Sequence, residues 1–499
     1  MPPDGKPIPR EIEKFDAETI YNLFGSFDAE TEAPEKFQDY FVNNSFYEKF
    51  SADFPLRIAV GNKGTGKSAI LRAALLDEKK RGSDVCVSLT VSDLMFRTQE
   101  LPTNEIKAIN HWKSVFAAEA ASHLLTSRWF GDSDADASAA MRSLSELLSW
   151  IARLASSKSG GATDVGIKAG LDINKIRRIT FYIDDLDKGW DGRREGARFV
   201  NSILNACYEM AKNEKNIRFK IAIRWDLWDA ISSINSDIDK IRQNVVFLRW
   251  TNHQIYVVVA NRIAKYLGIN FDYNLYLGEE RTQSEIERIF DPILERTFYG
   301  YGKWDKSPTR RVILSMTRNR PRDLISLLTL AANAASDNKR STINHTDLQN
   351  IFPNYSEERL GDLIVEYGTR LDGLKALLLS FKPSNASGPA IEKFRFTNDR
   401  ITKHLKQFIS QYSATVRFRT EKQPPEFRSL LDFLYRIDFL QAWYREPDGT
   451  IRRVNFQDRQ LAVVDSTEFG YSWEVLPAYR WAIQPTKIHD VIASLETPV

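Results

Sequence analysis

The stretch Leu56-Arg57-Ile58-Ala59-Val60-Gly61-Asn62-Lys63-Gly64-Thr65-Gly66-Lys67-Ser68-Ala69-Ile70-Leu71 decides the fold of this 499-residue chain. Its first five residues form a short apolar run, and Gly61 ends it. Residues 68–80 then carry Ile70, Leu71, Ala74 and Leu75 at helical spacing on one face. The pattern predicts strand, glycine-rich turn, helix. Glycines let the backbone curl until successive N–H groups point at one spot. The helix beginning near Lys67 turns its positive end toward the same spot. The product is a cradle for an anion.

The spacing from Gly61 to Ser68 is G-x-x-x-x-G-K-[ST], in the strand-before, helix-after context that gives this motif its meaning. It predicts that Gly61, Asn62, Lys63, Gly64, Thr65, Gly66, Lys67, Ser68 and Ala69 line a nucleoside-triphosphate site. Lys67 is expected to reach the β- and γ-phosphates, and the Ser68 hydroxyl to ligate Mg²⁺. The bland alternative is a glycine-rich turn with an incidental lysine. A second signal is Ile179-Thr180-Phe181-Tyr182-Ile183-Asp184-Asp185-Leu186-Asp187, an apolar strand ending in acid. In parallel sheets, ligands bind beyond the carboxyl ends of the strands. Asp184 is therefore expected to hold the metal, directly or through water, and Asp185 to orient or deprotonate an attacking water. Asp187 reads equally well as a cap of the following turn.

Arginines supply the next candidates. Arg224 ends an apolar strand in Phe219-Lys220-Ile221-Ala222-Ile223-Arg224-Trp225-Asp226, where it would face a γ-phosphate with Asp226 orienting it. It also reads as an ordinary strand-end ion pair. Arg318-Asn319-Arg320-Pro321-Arg322-Asp323 opens a helix, and Arg322, then Arg320, are candidates to sense the phosphates. Arg242 is a candidate finger reaching a neighbouring subunit's site, against the plainer reading of a surface arginine.

Further strands are expected at Asp84–Thr90, Ile179–Ile183, Phe219–Ile223 and Val245–Leu248, with helical patterns between most of them. Alternating strand and helix with near-continuous apolar strands predicts a parallel sheet covered on both faces. Residues 1–50 read as an amino-terminal extension packing on the core, and 51–250 as the core itself. A helical insertion at about 95–175 includes the Ser/Gly-rich segment 156–166. Residues 251–350 read as a helical lid, with Thr251 capping a helix that ends near Gly268. Residues 351–499 read as helices followed by short strands, a winged-helix-like module with a turn at Pro447-Asp448-Gly449. Strand character is expected in both 450–464 and 469–484.

Composition narrows the class. With 69 basic and 66 acidic side chains the net charge is +3, so any nucleic-acid contact needs a local patch. Two cysteines exclude a disulfide framework and a cysteine-based zinc site. They fit a reducing cytoplasm. No run of about 18 apolar residues predicts a membrane span, and the amino terminus has no apolar signal region.

The residues GNKGTGKS at 61–68, IDDLD ending at 187, IRWD at 223–226 and NRPRDLI at 319–325 resemble the AAA+ and STAND division of P-loop NTPases. Within it they resemble bacterial ATPases related to the KAP group. The resemblance covers roughly 51–350. It implies an α/β P-loop sheet in the order 5-1-4-3-2, a helical lid, ATP as substrate and Mg²⁺ as cofactor. It also implies nucleotide-dependent assembly, through self-association or with a separate effector chain, in phage-defence or mobile-element systems. Two features depart from the family. Asp184-Asp185 stands where many AAA+ proteins have Asp-Glu, and the membrane insert common in KAP proteins is missing.

The carboxyl-terminal module holds eleven Lys/Arg against seven Asp/Glu over 401–460. Arg417, Arg419, Arg452 and Arg453 are candidates to meet DNA phosphates, with a protein-binding module as the alternative. Two functional readings stay open. One is a cytoplasmic Mg²⁺-dependent ATPase whose turnover drives assembly with a partner. The other is a slow nucleotide-gated switch whose winged-helix-like domain binds DNA or a partner protein.

Overall fold

The computed structural model describes residues 12–129 and 178–495, except 27–28, 83–84, 97–101, 236–237, 279–282, 301, 384–389, 422, 457–469, 485–490 and 492–493. The helical pattern expected at 137–156 and the Ser/Gly-rich segment lie outside the described residues. The chain forms two units, Asn43–Leu248 in one, the residues up to Val42 together with those from Arg249 onward in the other. Helices α1 (Ala17–Phe24) and α2 (Pro34–Tyr40) belong to the second of these.

The unit from Asn43 to Leu248 is a covered parallel sheet. In chain order it runs α3 (Ser45–Ser51), β1 (Leu56–Gly61), α4 (Lys67–Arg81), β2 (Val85–Thr90), α5 (Val91–Phe96), α6 (Glu105–Trp129), β3 (Ile179–Asp184), α7 (Arg194–Asn213), β4 (Ile217–Arg224), α8 (Trp225–Ser232), α9 (Ile238–Arg242) and β5 (Val245–Phe247). The strand order is β2-β3-β4-β1-β5, and every pair is parallel. That is the P-loop order the sequence resemblance implies. The central strands β1, β3 and β4 are buried on both faces because they are apolar nearly along their length, while the edge strand β2 alternates, with Ser88 exposed. Phe181 and Phe219 stack at 5.1 Å across β3 and β4, and Phe116 of α6 meets both rings edge-on. Parallel register sets where the strands stop. Gly61 of β1 lies opposite Arg224 of β4, and Ile183 of β3 opposite Ile221 of β4, so three strands end side by side.

The other unit is mainly helical: α10 (Asn252–Leu267), α11 (Gln283–Phe290), the short ribbon of β6 (Thr297–Phe298) and β7 (Ser307–Pro308), α12 (Thr309–Ser315), α13 (Pro321–Asp337) and α14 (His345–Tyr367). Thr251 and Gln254 form the reciprocal cap of α10, and Gly268 ends it in the left-handed region. The remaining elements are β8 (Leu371–Asp372), α15 (Leu374–Ser380), β9 (Arg395–Phe396), α16 (Asn398–Gln411), β10 (Arg417–Phe418), α17 (Phe427–Arg436), β11 (Leu440–Arg445), β12 (Ile451–Val454), β13 (Ser472–Val475) and α18 (Pro477–Ile483). Strands β12-β11-β13-β9 make an antiparallel sheet, and the turn before β12 places Gly449 at φ 86°.

Two segments differ from the sequence expectation. The first 50 residues divide between the units. Only α3 packs on the sheet unit, whereas α1 and α2 lie against α10, with α1 also on α13. Backbone oxygens explain it: Arg262 of α10 binds the Phe24 carbonyl, and Asn261 donates to the Tyr40 carbonyl at 3.3 Å. Within the stretch read as strand at 469–484, Ser472–Val475 is strand but Pro477–Ile483 is helix. Pro477 cannot donate to a sheet ladder, yet it fits the first helical turn, so α18 starts there and packs on α14.

Buried ion networks hold this unit. Arg318 grips Asp323 through Nε and Nη2, both at 2.7 Å, and Arg359 adds a contact at 3.3 Å. Glu474, 1% exposed, is met by Arg395 at 3.0 Å, Arg453 at 2.7 Å and Arg480 at 3.4 Å. Burial alone would raise its carboxyl, but Arg453, Arg480 and Arg395 pull it down to about 2. A depressed carboxylate gives stability that is complete above its unfolded value, 4.5, and lost as pH falls toward 2. Glu474→Gln is therefore expected to cost about 3–5 kcal/mol at pH 7, since it strands buried guanidiniums. Urea unfolding of both proteins checks this: the gap must shrink as pH drops below 4.5, and a gap independent of pH would contradict it.

Candidate active site

The turn between β1 and α4 is shaped by backbone that side chains resist. Gly64 and Gly66 sit at φ 84° and 89°, in the left-handed region. A Cβ on Gly61 would lie 2.4 Å from Thr65 Oγ1, so the close approach needs glycine. Three donors converge on the Asn62 carbonyl: Thr65 Oγ1 at 2.8 Å, the Thr65 N–H at 3.4 Å and Lys67 Nζ at 3.2 Å. These bonds curl the loop and hold the lysine ammonium inside it. Helix α4 has Gly66 at its N-cap position, with no side chain capping the first turn. A cradle of this kind presents helix-start amides and a cation to one anion.

The strand ends bring the acids to it. The Asp184 carboxylate accepts the Asp185 N–H at 2.8 Å, and the Ser68 hydroxyl and Lys67 ammonium are close enough to favour its charged form. Burial pushes the Asp184 carboxyl up, against the pull of Ser68, the Asp185 amide and Lys67. Asp185 itself takes φ 57°, a strained position for a residue with a Cβ. Burial also raises Asp187, while Arg224 and then Lys67 oppose it. Arg224 makes two bonds to Asp226, 2.5 and 2.6 Å long, and its Nη1 lies 3.6 Å from Asp187. The indole of Trp190 lies 5.9 Å from the same guanidinium.

So the structure brings together the loop 61–69, Asp184, Asp185, Asp187 and Arg224. Asp187 faces the Arg224 guanidinium at 3.6 Å and is close enough to Lys67 for its ammonium to favour the carboxylate. Its signal in sequence was only the third acid of IDDLD. Other candidates lie elsewhere. Arg242 is 56% exposed and sits 3.7 Å from Asp239. Arg320, read as a phosphate sensor, is 0% exposed inside the other unit, bound to Asp438 at 2.8 Å and Glu366 at 3.7 Å. A guanidinium so enclosed does not present itself to a ligand, which corrects that expectation. Arg322 is half-buried in the first turn of α13.

The donor set fits Mg²⁺. A serine hydroxyl and a carboxylate are hard oxygen ligands of the kind that ion takes alongside phosphate oxygens and water. A buried carboxyl whose charge is disfavoured by burial gains from a divalent cation.

Comparison with known proteins adds little beyond this geometry. Residues 277–364 match the family described as the FunZ-associated C-terminal helical domain. The chain is 24% identical over 207 residues to the "Putative transposon gamma-delta 80.3 kDa protein" of Escherichia coli (strain K12), a stretch covering 41% of this chain and 27% of that one. It thus spans about a quarter of that relative's length. Solved structures similar to it include Cdc6p of Pyrobaculum aerophilum, with a TM-score of 0.34, 14% identity, and 89% and 97% of the two chains covered. A Walker-type ATPase of Pyrococcus abyssi matches with a TM-score of 0.36, 10% identity, and coverage of 90% and 97%. The RuvB branch-migration motor of Thermotoga maritima matches with a TM-score of 0.31, 10% identity, and coverage of 82% and 87%. At these scores the likenesses lend no weight to the site, which stands on the chain's own residues.

The buried Asp184 generates a prediction with opposite signs in two states. A raised carboxyl weakens the folded protein above its folded pKa, and the penalty fades as pH falls through that value. Asp184→Asn should therefore raise the melting temperature of the nucleotide-free protein at pH 7.5. The same change should remove most of the further rise that Mg²⁺ and ATP together give the wild type. Scanning calorimetry with and without Mg²⁺·ATP reads both; an unstabilised apo variant would contradict the electrostatic account.

Proposed function

We propose that this chain is a Mg²⁺-dependent ATP-binding and ATP-hydrolysing P-loop ATPase of the AAA+/STAND division. The lysine-tipped loop after β1, next to the buried acid that ends β3, carries the reading. Gly61 to Ala69 hold the triphosphate by backbone amides. Lys67 leaves the Asn62 carbonyl for the β- and γ-phosphates. Ser68 and Asp184 hold Mg²⁺, which when bound neutralises charge on the phosphate oxygens. Asp185 orients the water that attacks the γ-phosphorus and accepts its proton, and the bond to the departing ADP breaks. Arg224, fixed by Asp226, stabilises charge on the γ-phosphate oxygens.

The helical unit acts as lid and carries the output. Its element order α15, β9, α16, β10, α17, β11, β12, β13, with β11 and β12 forming an antiparallel hairpin, supports a winged-helix-like module. Of its four arginine candidates, Arg419 pairs with Asp372 and Arg452 with Glu446, while Arg453 is turned inward toward Glu474 at 16% exposure and does not face a duplex. This pairing favours a protein partner, a second copy or an effector chain, over DNA. The setting we propose is a bacterial defence or mobile-element system in the cytoplasm. The KAP-like motifs and the transposon label of the Escherichia coli relative support it. Among the described residues no helix is long and apolar enough to cross a membrane.

Lys67→Ala is expected to lose ATP binding, seen by equilibrium dialysis. Asp185→Asn should bind ATP as tightly as wild type while phosphate release falls by about 10²–10⁴-fold. Equal turnover in Asp185→Asn would remove it from the base role. Wild-type turnover slower than partner exchange would favour the nucleotide-gated switch, which the shorter Asp185 in place of glutamate also suits.

A further inference from the structure

A second cleft lies wholly within the helical unit, with a volume of about 240 Å³. Its walls come from the start of α10, the Arg318-Asn319 turn, β11, the end of β12 and α18. None of these residues belongs to the phosphate loop or its acids.

Charge is out of balance on its walls. Three guanidiniums line it, those of Arg318, Arg453 and Arg480, against one carboxylate, Asp438. That is an excess of two positive charges on the lining. Arg453 and Arg480 also share the Glu474 carboxylate behind the wall with Arg395. Arg318 is only 3% exposed. Its Nε and Nη2 are taken by Asp323, whereas its Nη1 is buried with no hydrogen-bond partner. Asp438 is already held by Arg320 at 2.8 Å. Burying guanidinium groups without matching anions is costly, and the cost falls when an anion arrives.

Backbone strain marks the same place. Asn319 and Asp438 both border the cleft and both take left-handed backbone, at φ 54° and 59°. The rest of the wall mixes neutral polar groups, Asn252, Gln441 and Asn455 among them, with an apolar side that includes Trp250, Trp304 and Leu476. Forked guanidiniums suit phosphate oxygens, and an excess of two charges suits a dianion. The space exceeds what a phosphate group fills, and neutral amides line the remainder. We propose that this cleft binds a small phosphomonoester, its dianionic head against Arg318 and Arg453 and its polar body against the amides, with Arg480, whose nitrogens are held by Val475, Ser494 and Glu474, adding positive charge.

The site is tested on the full chain by equilibrium dialysis with inorganic phosphate, AMP and ribose 5-phosphate. Lys67→Ala, with its triphosphate cradle disabled, is expected to keep one saturable phosphomonoester site per chain. Arg453→Gln, which can still hydrogen-bond Glu474, should weaken that site about tenfold or more, the loss of one charge-assisted contact. Asn455→Phe should fill the cleft and abolish binding without removing a charge. Both variants should bind Mg²⁺·ATP within about twofold of wild type. Tighter binding of AMP than of ribose 5-phosphate identifies a nucleotide as the ligand class; equal binding identifies the phosphate ester alone. If a cleft variant fails to fold, the Lys67→Ala stoichiometry decides. No saturable site in Lys67→Ala, or wild-type affinity in both folded cleft variants, would overturn the proposal.

Discussion

Everything at the candidate active site depends on parallel register. β4 lies between β1 and β3, and its hydrogen bonds fix both neighbours so that Gly61, Arg224 and Asp184 finish at one edge. A slip by one residue would turn each strand's side chains to the opposite face and separate Ser68 from Asp184. The aromatic stack of Phe116, Phe181 and Phe219 behind the sheet resists that slip, because each ring sits at a defined distance from the other two. The edge that carries the candidate site is thus held by an apolar core.

The same sheet makes charge expensive where it is needed. Asp184 and Asp187 are both raised by burial, and Lys67, Ser68 and Arg224 only partly offset this. A site that disfavours its own carboxylates in the empty state favours whatever brings a cation with it. Phosphate cradle and acids are therefore complementary: the cradle wants an anion, the acids a cation, and a metal–nucleotide complex offers both.

Much of the sheet unit was legible because its signals are local. The strand ending at Gly61, the helix from Lys67 and the acids after Ile183 each declare themselves within about ten residues, and the inferred strand order comes from the motif's topology. The helical unit was legible in its helices, through caps such as Thr251 and Pro321, but not in its interior. Arg320 finds Asp438 across 118 positions and Arg395 finds Glu474 across 79, separations at which charge patterning along a sequence says nothing. Arg320 therefore looked like a sensor when it is part of a buried lattice of charge. The alternation in Tyr471-Ser472-Trp473-Glu474 continued misleadingly past Pro477, where the missing N–H should have ended the strand reading. The partner of α1 and α2 was hidden too, since their aromatic residues fit any apolar surface and only backbone bonds from α10 choose one.

The discontinuity of the helical unit has a consequence for biogenesis. Its first two helices leave the ribosome before the sheet unit, yet their docking surface, α10 and α13, is made only after residue 249. Synthesis proceeds from the amino end, and domains close as their parts emerge. The sheet unit therefore completes while α1 and α2 still lack the surface that buries them in the folded chain. Until the later helices emerge, the apolar faces of α1 and α2, with Ile20, Leu23, Phe24 and Phe37, stay without their folded-state cover.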